Sequence, residues 1–543
     1  MLMRMNPIQI NSSNRLIENY RFNKEEIMSY FSYKPLSDLT RRVDDLQDRN
    51  FEREKLSDIL HKMNLKWDAP EQSLQQIERL KDERSVVVIG GQQAGLLTGP
   101  LYTVNKIITI LTFAKQQEEK LNIPVIPVFW IAGEDHDYEE INHIYTVRKG
   151  KLNKHKTTQP LYLKQSISHV EIDKEKTLQW LDEAFLDLVE TEHTKHIYNG
   201  FIEALHKSTT YVDFFARIIY QLFPNEGLVL INSADDELRK LESKWFVEMI
   251  EKQSEIAHSV YDTVQELQQK GYHVPLDVDR DDVHLFYHDE NNERILLKKD
   301  GDYFKGKNDE VILSKEKLIH VAKETPERLS NNVVTRPLMQ EFLFPTLAFF
   351  GGDGEISYWS ALKSAFSSLQ LQMPPVLPRM SFTYVTKRVE KLLQLRNVSI
   401  EHVLHHGIEQ EKMNWLTAQQ QPPVDLLFEE VKREMEQIHL PIRKFAQEVS
   451  ADLGDEAEKN LQYIMKNISY LENKITQKLR EKYKRQLMQF EEISYLLKPN
   501  NVLQERIWNP LPFINQYGLH LFQRICKELT FFVEEKHYII YLD

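Results

Sequence analysis

Two wholly apolar runs, "SVVVIG" at 85–90 and "PVIPVFWIAG" at 124–133, flank one helical segment, "YTVNKIITILTFAKQQEEKL" at 102–121. A strand apolar on both faces must be covered on both. Two such strands joined through a helix pair as parallel neighbours, because antiparallel partners show one polar face and need only a tight turn. This βαβ unit constrains the chain more than any other feature. Further runs at 226–233 ("EGLVLINS") and 346–355 ("TLAFFGGDGE"), with helical sequence such as 235–271 between them, extend the reading to a doubly wound, Rossmann-like α/β sheet.

The segment 282–306, "DVHLFYHDENNERILLKKDGDYFKG", alternates around an Asp- and Asn-rich turn, and predicts a small β ribbon near 275–312 inserted into the sheet domain. Residues 1–84 read as a helical lead-in packed on a core of 85–390, and 391–498 as a helical region. Within it, Val424, Phe428, Val431, Met435, Ile438, Ile442, Phe445 and Val449 form a heptad seam. Leu461, Ile464, Ile468, Leu471 and Ile475 repeat the spacing and slip by four to Leu479. With "SADLGDEAE" (450–458) as the turn, this predicts an antiparallel coiled-coil hairpin over about 424–495, kinked at Pro441 and pairing with its copy in a homodimer. The aromatic segment 499–543 returns to the core.

The chain carries a formal charge of -13 and no basic block, which argues against nucleic acid as a partner. No stretch resembles a signal peptide or a membrane span, so a cytoplasmic protein is expected. The single cysteine, Cys526, can form no internal disulfide or thiolate-cluster zinc site. Its helical spacing from Leu519 and Phe522 places it in core packing.

Three loops concentrate chemistry. Gly90, Gly91, Gly95 and Gly99 fall where a buried strand hands over to a helix, in a chain with only 17 glycines among 543 residues. Glycine there lets backbone amides approach a ligand, and the following helix N-terminus favours an anion. Gln92, Gln93, Thr98 and Asn105 are candidate orienting groups. The spacing matches neither the dinucleotide fingerprint nor the ATPase phosphate loop.

After the second strand, "EDHDYEEINH" holds Glu134, Asp135, His136, Asp137, Glu139, Glu140 and His143. Such a cluster can bind a metal, hold an ammonium group or supply a base; Glu139 and His143 share a face if the segment is helical. The third loop contributes Gly351, Gly352, Gly354 and Glu355, with Arg336 nearby as a partner for carboxylate or phosphate. Three such loops at strand ends in one sheet would line one crevice. A metal-dependent hydrolase and a non-catalytic scaffold are two readings that such loops allow.

"GGQQAGLLTGPLYT", "PVFWIAGEDHDYEEINH", "RPLMQEFLFPTLAFFGGDGEISYW" and "VLQERIWN" resemble the signature stretches of the BshC family, the cysteine-adding enzymes of bacillithiol biosynthesis. The resemblance implies a core related to nucleotidylyltransferases, a dimerising coiled coil, and a ligase that joins the carboxyl group of L-cysteine to the amine of glucosaminyl malate, with ATP and Mg2+ as activating reagents. It places Asp135, His136 and Asp137 in catalysis. Binding falls to Gly91, Gln92, Gln93, Thr98, Gly99, Asn105, Trp130, Glu134, His143, Arg336, Gly352 and Glu355, without a resident metal.

Overall fold

Every strand of the central sheet is buried except for a partly open last residue at Gln92, Asn232 and Pro378, as the unbroken apolar runs require. The computed structural model describes residues 4–10, 12, 14–148, 150–161, 163–420, 422–529 and 536–542. Of these, the residues within 4–148, 152–383 and 504–541 form one unit and those within 150–151, 384–503 and 542 a second.

In the first unit, five parallel strands lie in the order Val376–Pro378, Thr346–Gly351, Val86–Gln92, Val125–Ile131, Val229–Asn232. The chain starts in the middle, builds outward on one side, then crosses over and builds on the other. The order therefore reverses between Val86–Gln92 and Thr346–Gly351, and open parallel sheets take ligands at the carboxyl ends beside such a reversal. The Leu101–Leu121 helix that follows the central strand is buried around most of its circumference, which explains why it reads as apolar all round.

The inserted ribbon is larger than the alternation suggested. It is a five-stranded antiparallel sheet in the order Ile312–Ser314, Tyr303–Lys305, Arg294–Asp300, Asp282–His288, Leu329–Asn331. Its last strand has three residues, too few to show a period. The lead-in holds the helices Arg15–Arg21, Leu39–Gln47, Arg53–Lys66 and Glu71–Arg79, but it opens on a strand, Arg4–Ile8, paired antiparallel with the final strand, Arg4 opposite Tyr541 and Ile8 opposite His537. Backbone pairing across more than 500 residues of sequence holds that polar edge.

The glycine-rich stretch closes on itself. Leu97, Thr98 and Gly99 all have positive φ (47°, 72° and 68°), and a Cβ on Gly95 would lie 2.7 Å from the Gly99 Cα. The next helix begins with the Leu101 amide donating to the Trp508 carbonyl at 2.6 Å. Its glycines therefore serve a tight, buried turn, and the first amide of that helix is taken by protein.

In the second unit, Val424–Val449 and Ala451–Lys482 form the expected antiparallel hairpin. Three details differ from the sequence reading. The turn is Ser450 alone, whose side chain accepts from the Leu453 amide, and "ADLGDEAE" is already helix. The first helix runs unbroken through Pro441. Nor does the heptad seam lie wholly between the helices. The inner face carries Phe428, His439, Gly454 and Leu461, with His439 Nε2 3.1 Å from Asn460 Oδ1 and Arg443 paired to Glu458 at 2.9 Å. Ile438, Ile442, Phe445 and Val449 stay 59–69% exposed. The inner contacts sit one position further along, so the apolar stripe flanks the hairpin instead of sealing it.

Gly95→Ala should lower stability by about 1–3 kcal/mol, because its new methyl meets backbone that has nowhere to move. Gly354→Ala, with nothing within 4 Å of the added carbon, should be neutral. Thermal unfolding of the two variants side by side checks this; equal midpoints would remove the close-approach account of the turn.

Candidate functional site

At the reversal point lies a buried cation that the sequence reading did not single out. Lys106, in the second turn of the Leu101–Leu121 helix, is 1% exposed and donates from Nζ to the Gly91 carbonyl at 2.7 Å. Its second partner is Glu355 Oε2, and Gln92 Oε1 stands at 3.4 Å. Burial lowers the Lys106 pKa, and the Glu355 charge opposes that. Glu355 also caps its own helix, accepting the Gly352 amide at 2.8 Å. Arg336 reaches in from the Thr335–Leu343 helix and donates to the Tyr358 hydroxyl, while its Nε has no partner among the described residues. Gln92, Arg336, Gly352 and Glu355 thus gather at the carboxyl ends of the two strands flanking the reversal.

A second node sits one strand over. Gln93 Nε2 donates to Asp135 Oδ2 at 2.7 Å, tying the first loop to the second, and Asp135 Oδ1 accepts the His136 amide at 2.8 Å. Arg294, contributed by the inserted antiparallel sheet, is 96% buried at its side chain and lies 3.2 Å from His136 Nδ1 and 3.8 Å from Asp135 Oδ1. It also donates to Ser330 Oγ at 3.0 Å and the Asn331 carbonyl at 2.6 Å, over the Phe286 ring. Burial pushes the Asp135 carboxyl up, but the Gln93 hydrogen bond and the Arg294 charge outweigh it and hold it below the usual range. Beside His136 opens a cavity of about 570 Å³, bordered by Asn142, Lys156, Thr157, Gln159 and Lys164.

A third node locks the frame. Glu505, from "VLQERIWN", receives Arg379 in a bidentate pair (2.7 and 2.9 Å), Asn105 Nδ2 at 2.7 Å and Ser381 Oγ at 2.8 Å. Burial alone would raise its pKa; Arg379 outweighs that and holds it at about 2.

Several expected site residues have other work. Glu134 is buried against Arg239, which also holds Glu242 at 2.7 Å. Asp137 accepts the Glu139 amide as the cap of a single helical turn, Tyr138–Ile141, and Glu139 pairs with Lys156. His143 begins the strand His143–Arg148, so it does not share a helical face with Glu139. Trp130 is fully buried opposite Gly91, and Asn105 belongs to the Glu505 frame. Gly99 donates its amide to the Leu96 carbonyl, while Thr98 is fully buried with its Oγ1 unpartnered among the described residues. Among the described residues no three His, Cys, Asp or Glu side chains gather as metal ligands, which leaves the hydrolase reading without a ligand set.

Lys106 had a sequence signal: one cation inside "VNKIITIL" directly after the glycine turn. Arg294 had none, since it lies on an alternating strand where charge on one face is ordinary.

Two family models together match nearly the whole chain: the N-terminal Rossmann-like domain of bacillithiol biosynthesis BshC over residues 3–380, and its C-terminal coiled-coil domain over 382–542. The chain belongs to the BshC family. Among its relatives, one from Oceanobacillus iheyensis is 41% identical, over 99% of this chain and all of its own. One from a Geobacillus species is 39% identical with the same coverage, and one from Bacillus cereus is 40% identical over 97% of this chain and 98% of its own. All three are named "Putative cysteine ligase BshC". The parallel Rossmann-like sheet and the coiled-coil hairpin of this chain are those of the family models.

Glu505 makes acid stability a test of the frame. Its folded pKa lies below its ordinary value of 4.5, so its contribution is complete above 4.5 and is lost as pH falls through about 2. That contribution is on the order of 3 kcal/mol. Glu505→Gln should cost about 3–5 kcal/mol at pH 7, because Arg379 is left buried without its counter-charge, and should flatten the acid limb. Urea unfolding of both proteins from pH 7 to pH 3 measures this; parallel pH profiles would show that Glu505 is not the acid-sensitive group.

Proposed function

We propose that this chain is a cytoplasmic ligase that forms the amide between the carboxyl group of L-cysteine and the amine of glucosaminyl malate, completing bacillithiol. The observation that carries the reading is the arrangement at the sheet reversal: Lys106, Glu355 and Arg336 stand beside Gln93, Asp135 and His136 at neighbouring strand ends, in a chain similar over its whole length to relatives named as cysteine ligases. No described helix is long and apolar enough to cross a membrane.

Amide formation needs a carboxylate and an ammonium group brought together and the amine's proton removed. The new C–N bond replaces a C–O bond at the cysteine carboxyl carbon; that oxygen would leave on the phosphoryl or nucleotidyl group of the activating reagent, and the proton shed by the amine would pass to solvent. In this proposal Arg336, with an uncommitted Nε, holds carboxylate oxygen, while Asp135, kept ionised, holds the ammonium group. Gln93 fixes the Asp135 carboxylate through its 2.7 Å hydrogen bond. The cavity beside His136 takes the body of the aminosugar malate.

ATP with Mg2+ is the activating reagent that the resemblance implies. At the glycine turn the Leu101 amide is committed to the Trp508 carbonyl, while the buried Thr98 and Thr103 hydroxyls have no partner among the described residues; no step here is routed through the nucleotide. Mass spectrometry of the purified chain with cysteine and glucosaminyl malate, with and without ATP and Mg2+, decides both points. Product formed only with ATP, together with AMP or ADP, establishes the ligase and the kind of activation. No product from folded protein under either condition overturns the reading in favour of a scaffold. Asp135→Ala should reduce kcat/KM by about a hundredfold or more; unchanged turnover would take Asp135 out of the mechanism.

The exposed stripe Ile438, Ile442, Phe445 and Val449 supports a second part of the proposal, pairing of the hairpin with its copy in a homodimer. Ile438→Glu with Phe445→Glu should convert a dimer of the 64.4 kDa chain into monomer in sedimentation equilibrium. A double variant with the same mass as wild type would place the contact elsewhere.

A further inference from the structure

Arg294 does not belong to the sheet that builds the site. It sits at the start of Arg294–Asp300 in the inserted antiparallel sheet, yet its guanidinium ends against the loop after the Val125–Ile131 strand. Every contact holding it there is fixed by backbone or buried polar groups. Nε donates to Ser330 Oγ, Nη2 donates to the Asn331 carbonyl, and the plane lies 3.8 Å from the Phe286 ring centroid. That leaves Nη1 aimed at His136 Nδ1, at 3.2 Å.

The chemistry of this contact has one solution. A guanidinium has five N–H donors and no acceptor, and it stays protonated in proteins. The imidazole nitrogen that meets it must therefore offer a lone pair, and the ring proton of neutral His136 resides on Nε2. A doubly protonated ring would turn N–H against N–H. We propose that Arg294 is a positioning residue that fixes His136 as the neutral Nε2–H tautomer, so that the site presents a hydrogen-bond donor at Nε2 where the sequence suggests a base.

The surroundings agree. Burial first, and the Arg294 charge second, hold His136 below the usual imidazole range; Lys164 adds to this, while Asp135 and Asp137 oppose it. The Phe286 ring faces the imidazole edge-on at 5.9 Å. Asp135 cannot reverse the assignment, since its Oδ1 is 3.9 Å from His136 Nδ1 and already takes the His136 amide. A donor at Nε2 of a ring that lines the cavity can bind a carboxylate or carbonyl oxygen but cannot accept an amine proton, so a proton acceptor for the reaction must lie elsewhere. The inference concerns the state of one ring and needs no substrate. It rests on the placement of His136, not on the ligase assignment.

The test is hydrogen–deuterium exchange at the histidine C2 position in the full chain, followed residue by residue by mass spectrometry across pH. In the wild type His136 should titrate below the ordinary 6.5. Arg294→Gln should move its midpoint upward by roughly one pH unit, and Arg294→Lys, which keeps the charge but not the planar fork, by less. His143 lies seven residues further on, with no contact to Arg294, and should not move in either variant. An unmoved His136 in either folded variant would overturn the proposal, as would His136 and His143 moving together, which would mark Arg294 as a merely structural part of the sheet. Product formation in the ligase assay is a separate readout: it can fail while the His136 midpoint still shifts.

Discussion

A lysine ammonium deprived of water must be surrounded by oxygen or surrender its proton, and Lys106 meets that requirement at the one place in the sheet where the chain reverses direction. Its two main oxygens come from the two strand ends that flank the reversal: a main-chain carbonyl from Gly91, and a carboxylate from Glu355, held by the cap of the following helix. Desolvating the ammonium costs several kcal/mol, offset only if both partners keep their geometry. The requirement propagates outward. Gly91 must lie close against the neighbouring strand, where any Cβ would come 2.5 Å from the Trp130 carbonyl, and the glycine turn must fold tightly enough to bring the helix bearing Lys106 back over the sheet.

The frame around that lysine depends on the chain's return. Glu505 reaches the core from beyond the coiled coil and binds residues of the Leu101–Leu121 helix and of the 379–382 segment in one carboxylate. Trp508, three residues on, supplies the carbonyl that closes the helix N-terminus. A cooperative assembly of this kind explains why sequence so distant from the sheet forms part of the same unit. At the helix N-terminus, the end that attracts anions in other α/β proteins, one amide is here taken by the molecule's own backbone.

The parallel sheet was readable because buried strands leave an unambiguous trace: "VVVIG" and "VIPVFWI" have no polar face to mislead. The hairpin was readable from its spacing, yet the direction of its apolar stripe was not. A 3.5-residue pattern on a 3.6-residue helix drifts, and one position of drift decides whether Ile438 faces the partner helix or solvent. Strands of three residues, such as Leu329–Asn331, carry no period at all. In the site, proximity of loops was legible from their shared position at strand ends, and the Gln93–Asp135 contact realises it. Which charges bind one another was not. Glu134 and Asp135 are adjacent in sequence, but one turns inward to Arg239 and the other toward Gln93.

That divergence shows what composition alone hides about an acidic cluster. Seven carboxyl and imidazole residues in "EDHDYEEINH" suggest a basic or metal-binding site, yet the fold distributes most of them among a buried ion pair, a helix cap, an exposed pair with Lys156 and one hydrogen-bonded node. Asp135 and His136 remain directed together, with Glu140 sharing Gln93 beside them, and Arg294, 158 positions beyond His136, acts on both alongside burial and, for Asp135, the Gln93 hydrogen bond. Arg294 does so because an arginine anchored through Nε and Nη2 has its remaining donors aimed by geometry, so a change in its charge or shape reaches the imidazole with little slack. Insertion of an antiparallel sheet into a parallel one thus does more than enlarge the unit. It delivers a cation to the strand ends from outside the βαβ pattern, and sets the chemistry of a loop that the core sheet only positions.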